Sequence, residues 1–259
     1  DDLEWPDRIK NMQKNWIGKS EGVEINFDIS HLQTMEKTIT TFTTRIDTIF
    51  GVTFLVLAPE HKLVDLITIP SQKKSVESYK KSALSISEIN RTSTERDKTG
   101  VFTGSYCINP LNNEKIPIFV GDYVLSTYGT GAVMSVPGHD QRDYDFAKKY
   151  NLPIKVVISP PNWNGEYLMQ AYTGEGILVN SASFNGLYSK IAIEKISDLI
   201  DRKNFGKKTI TYHLRDWLIS RQRYWGTPIP IMYDEHEQIH PVSKEDLPVL
   251  LPDAEEFKP

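Results

Sequence analysis

The stretch Thr99–Leu125 reads TGVFTGSYCINPLNNEKIPIFVGDYVL. Two runs rich in Val, Phe, Tyr and Ile flank Pro110-Leu111-Asn112-Asn113, whose residue types favour a turn. The stretch therefore reads as two strands with no helix between them. The pattern recurs on its N-terminal side. EGVEINF places Val23, Ile25 and Phe27 on one face of a strand, KTITTFTTR is rich in Thr and Ile, and GVTFLVLAP is a buried strand closed by Pro59. Residues 60–69 read as a short helix. Residues 71–90 read as a surface helix with Val76, Tyr79, Ala83, Ile86 and Ile89 on one apolar face. On the C-terminal side come a strand and helix within 129–150, a strand at 154–158, and a loop rich in Pro, Asn and Gly at 159–166. A helix at 187–204 and a strand-like end at 209–232, punctuated by Gly226, Pro228 and Pro230, complete the chain's elements. Strands outnumber helices and follow one another closely. The expected fold class is α+β, a mostly antiparallel, barrel-like core with peripheral helices.

The bulk figures agree with a globular protein. The 259 residues suffice for one large domain or two small ones, and are 39% hydrophobic and 25% charged. No run approaches the roughly 18 apolar residues of a membrane span. The first residues, DDLEWPDRIK, contain no signal-peptide core, and the missing initiator Met suggests a fragment or processed chain. The single cysteine, Cys107, excludes a disulfide framework and a Cys-based zinc site. Among His31, His61, His139, His213, His236 and His240, only His236 and His240 are i,i+4, with no third ligand in view, so no metal is expected. Neither G-x-G-x-x-G nor G-x-x-x-x-G-K-[ST] occurs, so no ATP or NAD site is expected within this chain.

Net charge is −4, which argues against a globally basic nucleic-acid binder. The charge is uneven, however. From Arg202 to Trp225, seven Lys/Arg face only Asp216. That stripe is either a solvated face or a local contact for a phosphate backbone.

The most informative stretch is GTGAVMSVPGHDQRDYDF, Gly129–Phe146. Its first half reads as a strand with Ala132, Met134 and Val136 on one face. Pro137-Gly138 ends that strand. Asp140 then suits the N-cap of a helix, Asp143 the N3 position, and Asp145 the positive end of the helix dipole. Capping explains Asp140 well. Asp143 is harder to explain, because Asp143, Phe146, Ala147 and Tyr150 stand at i, i+3, i+4 and i+7, the apolar face. A carboxylate on the buried side needs a partner, either a backbone donor or a bound cation. The Thr-rich segment raises a similar choice. Thr43, Thr44, Asp47 and Thr48 either line a small polar pocket or are ordinary strand-edge residues.

TTRIDTIFG (Thr43–Gly51), YGTGAVMSVPGHDQRDYDFAKKY (Tyr128–Tyr150) and LRDWLISRQRYWGTPIPI (Leu214–Ile231), in this order, resemble the editing insertion of bacterial or organellar leucyl-tRNA synthetases, a class I family. WIGKSEGVEINF (Trp16–Phe27) is similar to that insertion's incoming ribbon. The resemblance covers roughly Trp5 to Met232. The related isoleucyl and valyl families share the architecture, but Asp47-Thr48 and GHDQRD point to the leucyl type. One position departs from the family's T-T-R-P-D-T. Ile46 stands where proline is usual, and the turn after Arg45 is expected to be looser.

The resemblance implies an inbound ribbon at 1–22, an editing domain at 23–214, and an outgoing ribbon returning to a synthetic domain at 215–259. It implies hydrolysis of the ester of mischarged tRNA(Leu) carrying norvaline, isoleucine or methionine, following the double-sieve logic. It also implies that aminoacylation, with ATP and Mg, belongs to the full-length enzyme and not to this chain alone. Asp143 would pair with the substrate's α-ammonium. Thr48 would narrow the pocket against leucine. Thr43 and Thr44 would meet the terminal ribose and the ester, while Arg45 and Asp47 shape their loop. Met134 and Val136 would wall the side-chain pocket, and Tyr128 would sit near the adenosine. His139 and Asp140 would line the mouth. His139 could serve as general base, but a water held by backbone and a ribose hydroxyl is the preferred reading. Arg215, Arg221 and Arg223, interleaved with Trp217, Tyr224 and Trp225, fit either tRNA contact or a hinge ribbon. The implied partners are the tRNA(Leu) 3′ end and the other domains of the synthetase. The implied location is the cytoplasm, or an organellar matrix in a eukaryote. The alternative is a non-catalytic tRNA-binding module whose acids are helix caps.

Overall fold

The structure is a computed structural model, and it describes residues 2–86, 90–91, 96–126, 129–165, 168–212, 214, 227–235 and 238–250. The chain divides into two compact units, Asp1–His213 and Leu214–Pro259.

The first unit opens with helix α1 (Asp7–Ile17). Its sequence, DRIKNMQKNWI, is rich in good helix formers. Pro6 precedes it and Gly18 ends it at φ 60°, the left-handed conformation that glycine adopts without strain. The expected inbound ribbon is therefore helical over α1, and extended structure starts only at β1 (Lys19–Asp28). Further strands are β2 (Thr38–Thr43), β3 (Phe54–Leu57), β4 (Gly100–Ile108), β5 (Lys115–Gly121) and β6 (Ala132–Ser135). Two short strands, β7 (Ile158–Ser159) and β8 (Ile177–Leu178), pair with each other, and β9 (Gly206–Tyr212) pairs with β1.

The main sheet of the described residues has seven strands in the order β2-β1-β4-β5-β3-β6, with β9 added to β1. The hairpin read from the sequence is β4–β5, antiparallel, with Val101 opposite Val120 and Cys107 opposite Ile116. Its register shifts between Phe102 and Tyr106, where Gly104 takes φ +83°. The β3–β5 pair alone among these ladders is parallel. The two ends of the order, β2 and β6, lie in contact, but no ladder joins them. The sheet thus curls as a barrel would without closing. A seam remains between the two strands that lead into the TTRIDT and GHDQRD segments.

Strand β3 is buried on both faces. Leu55 and Leu57 join a large core with Ile25, Phe27, Ile39 and Ile118, while Phe54, Val56 and Ala58 join a second core on the other face. Helix α2 (Leu63–Ile67) and helix α3 (Lys73–Leu84) occupy shorter spans than their patterns suggested. Helix α4 (Gln141–Tyr150) seats Phe146 flat against Phe54, ring centroids 4.9 Å apart. That burial contributes roughly 2–3 kcal/mol and fixes which face of α4 turns inward. Helix α5 (Ser189–Arg202) packs Ala192, Ile196 and Ile200 into the large core.

The second unit carries a small antiparallel hairpin, β10 (Ile231–Tyr233) with β11 (Ile239–Pro241). Tyr128, His213, His236, Arg215, Arg221, Arg223 and the aromatic residues Trp217, Tyr224 and Trp225 lie outside the described residues. Among the described residues, no helix is long and apolar enough to cross a membrane.

Candidate active site

Two segments meet beside the seam. The first follows β2. Residues Ile46–Gly51, read from sequence as part of a strand region, form a 3-10 helix with all six residues buried. Thr43 Oγ1 accepts the Arg45 N–H at 3.0 Å, and Thr48 Oγ1 donates to the Arg45 carbonyl at 2.7 Å. Arg45 grips Asp47 with a two-pronged fork, 3.0 and 3.1 Å. Asp47 is fully buried, so this pair removes what would otherwise be an isolated buried charge. Thr48 is buried, Thr43 half-buried and Thr44 exposed. Ile46 is completely buried in the large core. Packing here anchors the turn that the proline ring would have fixed, which removes the ground for expecting looseness.

The second segment follows β6. Met134 and Val136 are both buried and belong to the large core. The chain then turns tightly, with His139 and Asp140 both donating their N–H to the Val136 carbonyl. Asp140 is the N-cap of α4, its carboxylate accepting from the Arg142 and Asp143 backbone at 2.8 and 3.2 Å, and it also pairs with the Arg142 side chain. Capping is therefore a sufficient account of Asp140.

Asp143 lies on the inward face of α4 with Phe146 and Ala147 and is 6% exposed. One of its oxygens accepts the Val136 N–H at 2.7 Å. A backbone donor thus supplies one partner for the carboxylate. Burial, and secondarily the charge on Asp140, pushes its pKa up to about 7. The helix N-terminus favours the anion, but desolvation outweighs it. A carboxyl poised in this range gains most from a cation that arrives with a ligand.

His139 is buried, and both of its ring nitrogens are occupied. Nε2 accepts the N–H groups of Val157 and Ile158 at 2.9 and 3.1 Å, so Nδ1 carries the proton and donates to the Tyr172 carbonyl at 2.8 Å. Burial pushes its pKa down to about 4. This geometry leaves no free lone pair for a general base.

Glycine makes the close packing behind the site feasible. A Cβ on Gly138 would lie 2.2 Å from the Lys155 carbonyl oxygen, and one on Gly51 would lie 2.9 Å from Val157. Sequence reasoning missed a third segment, 168–174. Leu168 O accepts from Tyr144 Oη, Ala171 N donates to Gln141, and Tyr172 N donates to Gly138 O. Arg45 donates to Thr173 O and Gly174 O. Apart from its small residues, the AYTGEG sequence carries no signal of this role, because the contacts run through carbonyls that any residue possesses. Among the described residues, no group of His, Cys, Asp and Glu could hold a metal ion.

Known proteins resemble this chain in sequence and fold. The family model "Leucyl-tRNA synthetase, editing domain" matches residues 14–201, and "tRNA synthetases class I (I, L, M and V)" matches 188–251. A leucine–tRNA ligase of Dehalococcoides mccartyi is 54% identical over 258 residues, covering 100% of this chain and 32% of that protein. One of Rubrobacter xylanophilus is 53% identical, covering 100% of this chain and 31% of the relative. The chain therefore spans about a third of the length of these relatives. A crystal structure described as the ternary complex of Agrobacterium radiobacter K84 agnB2 LeuRS-tRNA-LeuAMS superposes with TM-score 0.70 at 39% identity, covering 98% of this chain and 28% of that one. The chain belongs to the leucyl-tRNA synthetase editing-domain family.

Proposed function

We propose that this chain is the post-transfer editing domain of a leucine–tRNA ligase. It hydrolyses the ester that joins norvaline, isoleucine or methionine to the 3′ end of tRNA(Leu). The observation that carries the reading is Asp143, a buried carboxylate on the inward face of α4 that accepts the Val136 N–H. An α-ammonium at Asp143 would form a charge-assisted contact and draw the carboxyl to its ionised form. Met134 and Val136 supply apolar wall, and Thr48 supplies bulk against leucine. Thr43 and the exposed Thr44 meet the ribose and ester, with Tyr128 toward the adenosine. Because the ring nitrogens of His139 are engaged, the attacking water is held by backbone and a ribose hydroxyl. The water oxygen bonds to the ester carbonyl carbon and the bond from that carbon to the ribose oxygen breaks. One water proton ends on the ribose hydroxyl, the other leaves to solvent, and the amino acid is released as its carboxylate.

On this reading residues 1–22 lead in, 23–214 form the hydrolytic domain, and 215–259 return to a synthetic domain where ATP and Mg serve aminoacylation. Arg215, Arg221 and Arg223 contact tRNA or act as a hinge. The bacterial relatives support a cytoplasmic location. The test is deacylation of norvalyl-tRNA(Leu) by the full-length enzyme carrying Asp143→Ala. Loss of a hydrogen bond to a charged group lowers the rate roughly 10- to 100-fold. An unimpaired rate would remove Asp143 from the ammonium contact, and a parent enzyme that binds tRNA but leaves norvalyl-tRNA(Leu) intact would make the chain a non-catalytic tRNA-binding module.

A further inference from the structure

Segment 168–174 is held at six points, and they belong to both halves of the site. From the α4 side, Tyr144 Oη donates to Leu168 O at 2.9 Å and Gln141 accepts from Ala171 N at 3.0 Å. Gly138 O accepts from Tyr172 N at 2.9 Å, and His139 Nδ1 donates to Tyr172 O at 2.8 Å. From the β2 side, Arg45 donates to Thr173 O at 3.1 Å and to Gly174 O at 3.3 Å. Three consecutive carbonyls, those of Tyr172, Thr173 and Gly174, are thus taken by two side chains from the two motifs. Each side chain is itself fixed. Arg45 is locked to buried Asp47, and its own carbonyl holds the Thr48 hydroxyl. His139 is locked to the backbone of Val157 and Ile158.

We propose that Tyr172–Gly174 is a strap that sets the spacing between the Thr48 side and the Asp143 side of the hydrolytic site. Arg45 and His139 are the positioning residues that grip it. The inference rests on the hydrolase reading. No other described hydrogen bond links Arg45 or Asp47 to the 136–140 turn, so the strap is the polar connection between them. A site that separates ligands differing by one methylene depends on its width, because such a difference is worth only about 1–3 kcal/mol. Releasing either grip relaxes the same spacing. Releasing the second after the first has little left to relax.

The experiment is a double-mutant cycle in the full-length enzyme, with Arg45→Lys, His139→Ala and the pair, read as kcat for norvalyl-tRNA(Leu) and for leucyl-tRNA(Leu). Lysine keeps the charge but lacks the fork that reaches two carbonyls. Each single change lowers norvalyl hydrolysis about tenfold and shrinks the norvalyl-to-leucyl preference. The pair falls well short of the product of the two, as coupled sites require. His139→Gln, which keeps a donor and an acceptor, restores part of the loss, and its rate follows the parent's pH profile. Where His139→Ala does not fold, His139→Gln takes its place in the cycle, and Arg45→Lys alone reports the preference. Effects that multiply, or an unchanged preference, overturn the strap. Loss of a limb of the pH profile in His139→Gln overturns it too, by making His139 a base. If the parent enzyme leaves norvalyl-tRNA(Leu) intact, the hydrolase reading itself fails. If the parent hydrolyses it and the changes multiply, only the strap fails.

Discussion

The Thr48 hydroxyl is already committed to the Arg45 carbonyl. What this residue offers a ligand is therefore bulk, not a hydrogen bond. Thr48→Ala should let the enzyme cleave correctly charged leucyl-tRNA(Leu) roughly tenfold faster or more, since one methyl in a fitted pocket is worth about 1–3 kcal/mol. Thr48→Val keeps the shape and should leave leucyl-tRNA(Leu) as stable as with the parent. Deacylation of leucyl-tRNA(Leu) by both variants checks this, and equal rates would remove Thr48 as the gate. Residue roles were unevenly legible in the sequence. The inward placement of Asp143 followed from helical spacing alone, because 3.6-residue periodicity is a local property. The fate of the His139 ring did not, since all of the ring's partners lie 18 or more residues away in the chain. Nothing in GHDQRD distinguishes an imidazole facing a ligand from one stapling three backbones.

At the scale of elements, strands with alternation and helices with a clear apolar stripe were legible. The 3-10 helix Ile46–Gly51 was not, because its six residues are all buried and carry no periodic contrast. The strand expected at 154–158 begins only at Ile158, as the two-residue β7, while its partner β8 and the strap were hidden, being set by long-range backbone contacts. Helix α1 was overlooked in favour of the ribbon that follows it, although Pro6 and Gly18 mark its ends. The turn from β6 into α4 makes a further test. Gly138→Ala places a methyl 2.2 Å from the Lys155 carbonyl oxygen, so backbone must shift. We expect a loss of about 1–3 kcal/mol, seen as a lower midpoint in urea unfolding. An unchanged midpoint would mean that the Lys155 segment yields freely.

For the whole molecule, the α+β class and the mainly antiparallel sheet were readable because several strands, β1 to β3 and β4 to β6, follow one another with no α-helix between them. The open seam between β2 and β6 was not, since whether a curled sheet closes depends on geometry summed over every strand. The two buried titrating groups beside the β6 turn have a joint effect on folding. Asp143 holds its proton up to about pH 7 in the fold, against 3.8 ordinarily. His139 gives its proton up down to about pH 4, against 6.5 ordinarily. The native state therefore binds a proton at Asp143 that the unfolded chain releases, and taken alone this makes stability fall as pH rises from about 4 to about 7. At His139 the unfolded chain binds the proton that the native state refuses, and stability rises from about pH 4 to about 6.5. Between these limits one proton is gained and another lost, so folding exchanges almost none with solvent on their account. Asp143→Asn should uncover the rising arm and His139→Gln the falling one, each up to roughly 3 kcal/mol, in urea unfolding of the Asp1–His213 unit at pH 4.5 and 6.5. Two flat profiles would show that these groups do not offset each other. With the two shifts offsetting, the fold keeps its stability level between about pH 4 and 6.5 although both groups lose their charge on folding.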